Sequence, residues 1–147
     1  MQQIIDPINP DLIEQELNDD TFLRSTNKAG NKVYVLNAHN APNTMREIGR
    51  LRELSFRLGG GGSGNSLDID EFDTMQHPYH QLIVWNPDAR EIIGGYRFLH
   101  GTNVTYNLTT GEPNMPINHI FRLSDKFQKE YLPYTIEMGR AFVQPKY

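Results

Sequence analysis

Apolar positions keep a helical period most clearly between residues 44 and 58, where Ile48, Leu51, Leu54, Ser55 and Leu58 fall on one side of a helix. Arg52 and Phe56, one turn apart, share the flank beside that stripe. Thr44-Met-Arg-Glu47 has the form of a capping box, which predicts that the helix opens there, and Gly59 closes it. A different pattern follows at His80-Gln-Leu-Ile-Val-Trp85, a near-continuous apolar run that reads as a strand covered on both faces. Asn86-Pro-Asp88 turns it into Glu91-Ile-Ile-Gly-Gly-Tyr-Arg-Phe-Leu99, an antiparallel partner on which Ile93, Gly95, Arg97 and Leu99 share one face. Gly94-Gly95 in mid-strand predicts close approach by another backbone or by a ligand.

The remaining elements are shorter. Asn9 before Pro10 starts a helix over residues 10–18, with Asp11 and Glu14 in the turn where the helix dipole favours acids. Lys32-Val-Tyr-Val-Leu-Asn37 reads as a strand, with Thr21–Arg24 as its hairpin partner. Residues 101–118 read as an irregular loop, and Ser124 caps a short helix that runs to Tyr131 and is stopped by Pro133. The last strand, Tyr134 to Val143, contains Glu137 and Arg140. On a regular strand these two face opposite ways, whereas a one-residue bulge near Gly139 puts them on the same side. Charges inside a strand need partners, so the two are either functional or a structural ion pair.

Between the long helix and the hairpin lie a glycine run, Gly59 to Gly64, and the acidic stretch Asp68-Ile-Asp-Glu-Phe-Asp73. The glycines are not a phosphate-cradling loop, because no Lys-Ser/Thr follows and the run leaves a helix rather than a strand. They read as a mobile loop. The aspartates do not form a calcium loop either: Phe72, Asp73 and Tyr79 occupy positions where an EF-hand needs a ligand, glycine and glutamate. Two readings stay open for them, a solvated acidic turn or ion pairs to arginines supplied by the rest of the fold.

Composition narrows the function. A chain of 147 residues is the size of one domain, and its formal charge of −4, with signs interspersed, offers no footprint for nucleic acid. The absence of cysteine removes disulfides, thiolate metal sites and cysteine nucleophiles, which fits a reducing compartment. Neither a signal peptide nor a membrane-spanning run is present in the sequence given. The histidines (His39, His77, His80, His100, His119) have no metal-ligand spacing, and no serine sits in a nucleophile elbow.

Four short motifs follow one another: Arg52-x-x-x-Phe56, Asp68-x-Asp70-x-Phe72-Asp73, Gly94-Gly-Tyr-Arg97 and Glu137-x-x-Arg140. In this order and approximate spacing they resemble the acyl-carrier-protein-dependent N-acyltransferases of the GNAT superfamily. These are the ornithine- and glycine-lipid acyltransferases, often labelled hemolysins, with the acyl-homoserine-lactone synthases as cousins. The match covers about residues 45–147, and the first residues, to about Asn40, have no counterpart in it. The chain is accordingly read as a single domain, with residues 1–40 as an N-terminal extension and 41–147 as the motif-bearing part.

The resemblance implies an α+β, three-layer GNAT-like fold: an antiparallel-centred sheet with helices on its faces, splaying after the fourth core strand, where this chain ends. It implies transfer of a fatty acyl group from an acyl-carrier-protein or CoA thioester to the amine of an amino acid or related small amine, as in amino-acid lipid synthesis. The alternative is a truncated, non-catalytic GNAT-like interaction module. Glu137, Arg140, Asp70 and Asp73 are the implied catalytic residues, and Arg52, Phe56, Arg97 and Phe72 the implied substrate-binding ones. Asp70 and Asp73 are expected to pair with Arg97 and Arg140, with Gly59–Gly64 as a lid held over the site. No cofactor is expected to be permanently bound, and the loop that holds phosphopantetheine is expected beyond Tyr147. The expected partners are the thioester donor, the amine, and either a second copy or a missing C-terminal half. The expected location is the cytoplasm, with peripheral association at the inner membrane surface.

Overall fold

The computed structural model describes residues Met1–Tyr147. Five strands form one antiparallel sheet whose spatial order is the order of the chain: β1 (Phe22–Ser25), β2 (Lys32–Leu36), β3 (His80–Asn86), β4 (Glu91–His100) and β5 (Ile136–Val143). Helices α1 (Pro10–Glu16), α2 (Pro42–Leu58) and the single turn α3 (Glu71–Thr74) precede β3, so the fold is α+β, as the resemblance implied. Residues 1–40 contribute to the same core as the rest, through Ile13, Tyr34 and Leu36.

That core forms where Met45, Ile48 and Leu51 of α2 meet Ile83 and Trp85 of β3, Ile92 of β4 and Phe142 of β5. Burying such side chains contributes about 1.5–3 kcal/mol each. β3 departs from its reading as a strand covered on both faces. Gln81, Ile83 and Trp85 are buried, while His80, Leu82 and Val84 alternate with them and are only partly covered. The physical reason is that α1 and α2 pack on one face, leaving Leu82, Val84, Ile93, Tyr96 and Val143 around an open apolar trough on the other. On β4 it is Ile92, not Ile93, that enters the core, because the pairing with β3 shifts by one residue between Gly94 and Ile92. Leu58, the last member of the helical stripe, is 71 % exposed.

The glycine pair of β4 answers to backbone rather than to a ligand. A Cβ on Gly94 would lie 2.5 Å from the Phe142 carbonyl oxygen, and one on Gly95 would lie 2.3 Å from that of Leu82.

α2 begins three residues earlier than the capping-box spacing predicts, with Pro42 in its first turn. The Thr44–Glu47 box does not form. Instead the Glu16 carboxylate, at the end of α1, accepts hydrogen bonds from the N–H of Asn43 (3.0 Å) and Thr44 (2.7 Å), from the Asn43 amide and from the Thr44 hydroxyl. Glu47 turns instead to Arg50 and to the Ile8 N–H. An acid on a helix N-terminus satisfies free donors and meets the favourable end of the dipole. Residues 125–131 are helical as expected, with a π turn over Phe127–Tyr131, and Ser124 Oγ accepts from the Phe127 N–H. Pro133 does not stop the chain's coiling there, because it opens a further 3-10 turn over Leu132–Tyr134, a place where proline's missing N–H costs nothing.

Candidate functional site

The site grows out of the last turns of α2. Arg52 lies one step off the apolar stripe, which brings its guanidinium beneath the sheet instead of into solvent, and the residue is wholly buried. Its Nε donates to Asp68 Oδ2 at 2.8 Å, and both terminal nitrogens donate to the two oxygens of Asp73 at 3.2 Å, a two-pronged match of guanidinium to carboxylate. Gln81 of β3 donates to the same Asp73 at 3.0 Å.

Asp70 and Asp73 are placed by α3. Asp70 caps the turn by accepting from the Phe72 N–H, and Asp73 reaches back to the Asp70 N–H at 3.1 Å, so a local capping box fixes both carboxylates. Their outward oxygens meet arginines from the sheet. Arg97 of β4 sits 2.7 Å from Asp70 and 3.3 Å from Asp73, and Arg140 of β5 sits 3.2 Å from Asp68 and 3.3 Å from Asp70. The expected pairings of Asp70 and Asp73 with Arg97 and Arg140 are therefore present in part, since Arg140 pairs with Asp70 and Asp68, and Arg52 takes up much of Asp73. A solvated acidic turn is ruled out, because Asp68 and Asp73 are buried. Burial works against the charge on Asp70, yet Arg97, Arg140 and Arg52 hold its carboxyl below the usual range. Burial likewise opposes the charge on Arg97, and its Asp70 and Asp73 partners override it and raise its pKa.

β5 contains the bulge that the Glu137–Arg140 spacing called for. Gly139 pairs with Arg97, whereas Phe142 pairs with Gly95, so Arg140 and Ala141 together stand opposite Tyr96. Arg140 takes a left-handed backbone at φ +52°, uncommon for a side chain of its size. The extra residue turns Arg140 toward the aspartates and returns Phe142 to the core. Glu137 does not pair with Arg140. It accepts instead from the Tyr79 hydroxyl and, at 3.2 Å, from the Ile117 N–H. Arg97 bridges the two groups of residues, its guanidinium 5.3 Å from the Tyr79 ring centroid and 5.7 Å from that of Phe72. Beside Phe72 opens a cavity of about 400 Å³ lined by Glu71, Met75, Asn114, Met115 and His119.

Of the residues singled out in the sequence, Arg52, Asp70, Asp73, Phe72, Arg97 and Arg140 converge, and Glu137 joins them through Tyr79. Phe56 does not join them; it packs against the main core. Asp68 stood in the acidic motif without a role of its own, and Gln81 and Tyr79 went unnoticed as site residues. A glutamine in the buried phase of an apolar strand was the one available signal for Gln81.

The glycine loop is not a lid over the aspartates. Glu53, fully buried one residue past Arg52, accepts from the N–H of Ser63 (3.0 Å) and Gly64 (2.9 Å), from the Ser63 hydroxyl and from Arg57 Nε. Gly64 in turn accepts from the Gln2 N–H, and Arg57 donates to the Gln2 and Asn65 carbonyls, so loop and N-terminal segment are tied together beside α2. Gly60 and Gly64 have φ of +79° and +83°, which favours glycine, and a Cβ on Gly62 would strike Arg57. Burial raises the pKa of Glu53, but Arg57, Ser63 and the Gly64 N–H outweigh it and hold the carboxyl at about 2. A depressed acid contributes stability above its unfolded pKa, about 4.3, and that contribution is lost as pH falls through the folded value. The Ser63 and Gly64 amides are therefore expected to lose hydrogen-exchange protection between about pH 4 and 2. Protection that is flat across this window in Glu53→Gln, and falling in the wild type, assigns the change to this carboxylate.

Residues 51–147 match the family model described as an acetyltransferase (GNAT) domain. The chain belongs to the GNAT family. It is 56 % identical over its whole length to a protein of Bacteroides thetaiotaomicron named glycine N(alpha)-acyltransferase, covering 43 % of that protein. It is 51 % identical, again over its whole length, to a Phocaeicola vulgatus protein of the same name, covering 45 % of it. This GNAT chain thus spans less than half the length of these relatives. No solved structure matches it. No helix is long and apolar enough to cross a membrane.

Proposed function

We propose that this protein serves N-acyl transfer, moving a fatty acyl group from an acyl-carrier-protein or CoA thioester to the amine of glycine. Membership of the GNAT family and the names of the two relatives support acyl transfer and glycine as acceptor. The observation that carries the reading is Glu137: a carboxylate with one donor on each oxygen, on the strand whose bulge interrupts the β4–β5 ladder. Each oxygen keeps a lone pair for an incoming ammonium or a water.

In the proposed reaction the amine nitrogen attacks the thioester carbonyl, the carbon–sulfur bond breaks, and the leaving thiolate takes up the second proton that nitrogen loses. Glu137 takes the proton from the ammonium, directly or through water. At a bulge the extra residue lacks its ladder partner, so a backbone N–H beside Arg140 is suited to the developing oxyanion. Arg52, Arg97, Asp68, Asp70 and Asp73 hold the strands and α3 in the geometry this requires.

The test is incubation of the purified protein with glycine and either palmitoyl-acyl-carrier protein or palmitoyl-CoA, followed by mass spectrometry. N-palmitoylglycine from one donor supports the reading and names the donor. The open apolar trough on the sheet favours a second reading, a non-catalytic interaction module. A stable dimer with no donor binding in calorimetry would replace the first reading with the second.

A further inference from the structure

Neither the reaction nor the relatives' names give Tyr79 a part, yet its hydroxyl meets Glu137 while its ring lies under the Arg97 guanidinium. It is 1 % exposed and immediately precedes β3. Its N–H donates to the Phe72 carbonyl at 2.9 Å, which ties its backbone to α3. Its ring is gripped by Phe72, edge-on at 5.9 Å, by the Arg97 guanidinium and by Leu99, the residue facing Glu137 across the β4–β5 ladder. A phenol held this way has little freedom to swing its hydroxyl off Glu137 Oε2.

From this geometry we propose that Tyr79 is a positioning residue: it fixes the direction of the Glu137 carboxylate and links it, through Arg97, to the arginine–aspartate network. Its use in catalysis rests on the acyl-transfer reading. A glutamate on a strand at the sheet edge has several rotamers to lose, and two donors, Tyr79 on Oε2 and the Ile117 N–H on Oε1, select one. The donor is permanent. Burial and the Glu137 carboxylate push the Tyr79 hydroxyl well above its ordinary titration range, so it stays protonated, with Arg97 and Asp70 as the other charged groups around it. The cation over the ring also draws on the phenol and strengthens its donation.

Deleting the hydroxyl removes one of the two donors that select the Glu137 rotamer. In Tyr79→Phe the Glu137 side chain, followed by carbon-detected NMR and side-chain couplings, is expected to lose its single rotamer and average over several. The rate of glycine acylation is expected to fall with it, kcat falling more than KM rises. Met75→Ala, which loosens the same cluster without removing the hydroxyl, is the packing control. A Glu137 side chain that keeps its single rotamer in a folded Tyr79→Phe protein overturns the proposal, as does an equal rotamer loss in Met75→Ala. A rotamer loss confined to Tyr79→Phe, in a protein that makes no acylglycine, supports the hydrogen-bond assignment and overturns the acyl-transfer reading instead.

Discussion

Arg52→Met is expected to destabilise the protein by about 3–5 kcal/mol, the cost of leaving buried carboxylates without their cation. Arg52 is fully buried and donates to Asp68 and to both oxygens of Asp73, which are themselves 5 % and 0 % exposed. Methionine fills much of the same volume, so the loss falls on charge rather than on packing. Against a total stability of about 5–15 kcal/mol, that places the variant near its unfolding threshold. Urea denaturation followed by tryptophan fluorescence measures it, Trp85 lying in the core. Arg52→Lys is expected to fall between the two, since an ammonium supplies charge but cannot match three donors to two carboxylates at once. A midpoint for Arg52→Met within experimental error of the wild type would mean that Arg97, Arg140 and Gln81 satisfy the aspartates unaided.

Glu137→Gln is expected to lower the rate of glycine acylation by about 100- to 10,000-fold while leaving the fold intact. Glutamine keeps the length of the side chain, and its carbonyl oxygen still accepts from Tyr79 or the Ile117 N–H. What it cannot do is take a proton. Single-turnover measurement with a preloaded thioester isolates the chemical step from product release. Full acylglycine formation in that assay would remove Glu137 as the base and leave it a structural acceptor.

The sheet was legible because its strands announce themselves locally. The hairpin of β3 and β4 has a turn between two apolar runs, and the β5 bulge was one of two arrangements that the spacing of Glu137 and Arg140 left open. What escaped was long-range. The α2 cap comes from Glu16 on another helix, and no spacing within residues 42–47 records it. The half-covered state of β3 depends on which face receives helices, which an apolar run does not encode. The glycine run suggested freedom, but the partner that removes the freedom, Glu53, lay in the preceding helix and looked like any solvent-facing acid. At the site, charged residues stood out because their burial is costly, whereas Tyr79 and Gln81 resembled ordinary strand residues until their contacts were seen.

Within this chain β5 pairs with β4 at the end of the strand order, so the alignment described here rests on that one neighbour. An isolated edge strand can slip by a residue, and a slip turns every side chain to the opposite face. Here the doubled position opposite Tyr96 makes slipped alignments self-defeating. In a strand moved by one residue Arg140 would leave its aspartates, and neither Gly139 nor Ala141 supplies a cation in its place. The kink at Arg140 thus ties the alignment of β5 to a charge as well as to its backbone pairing.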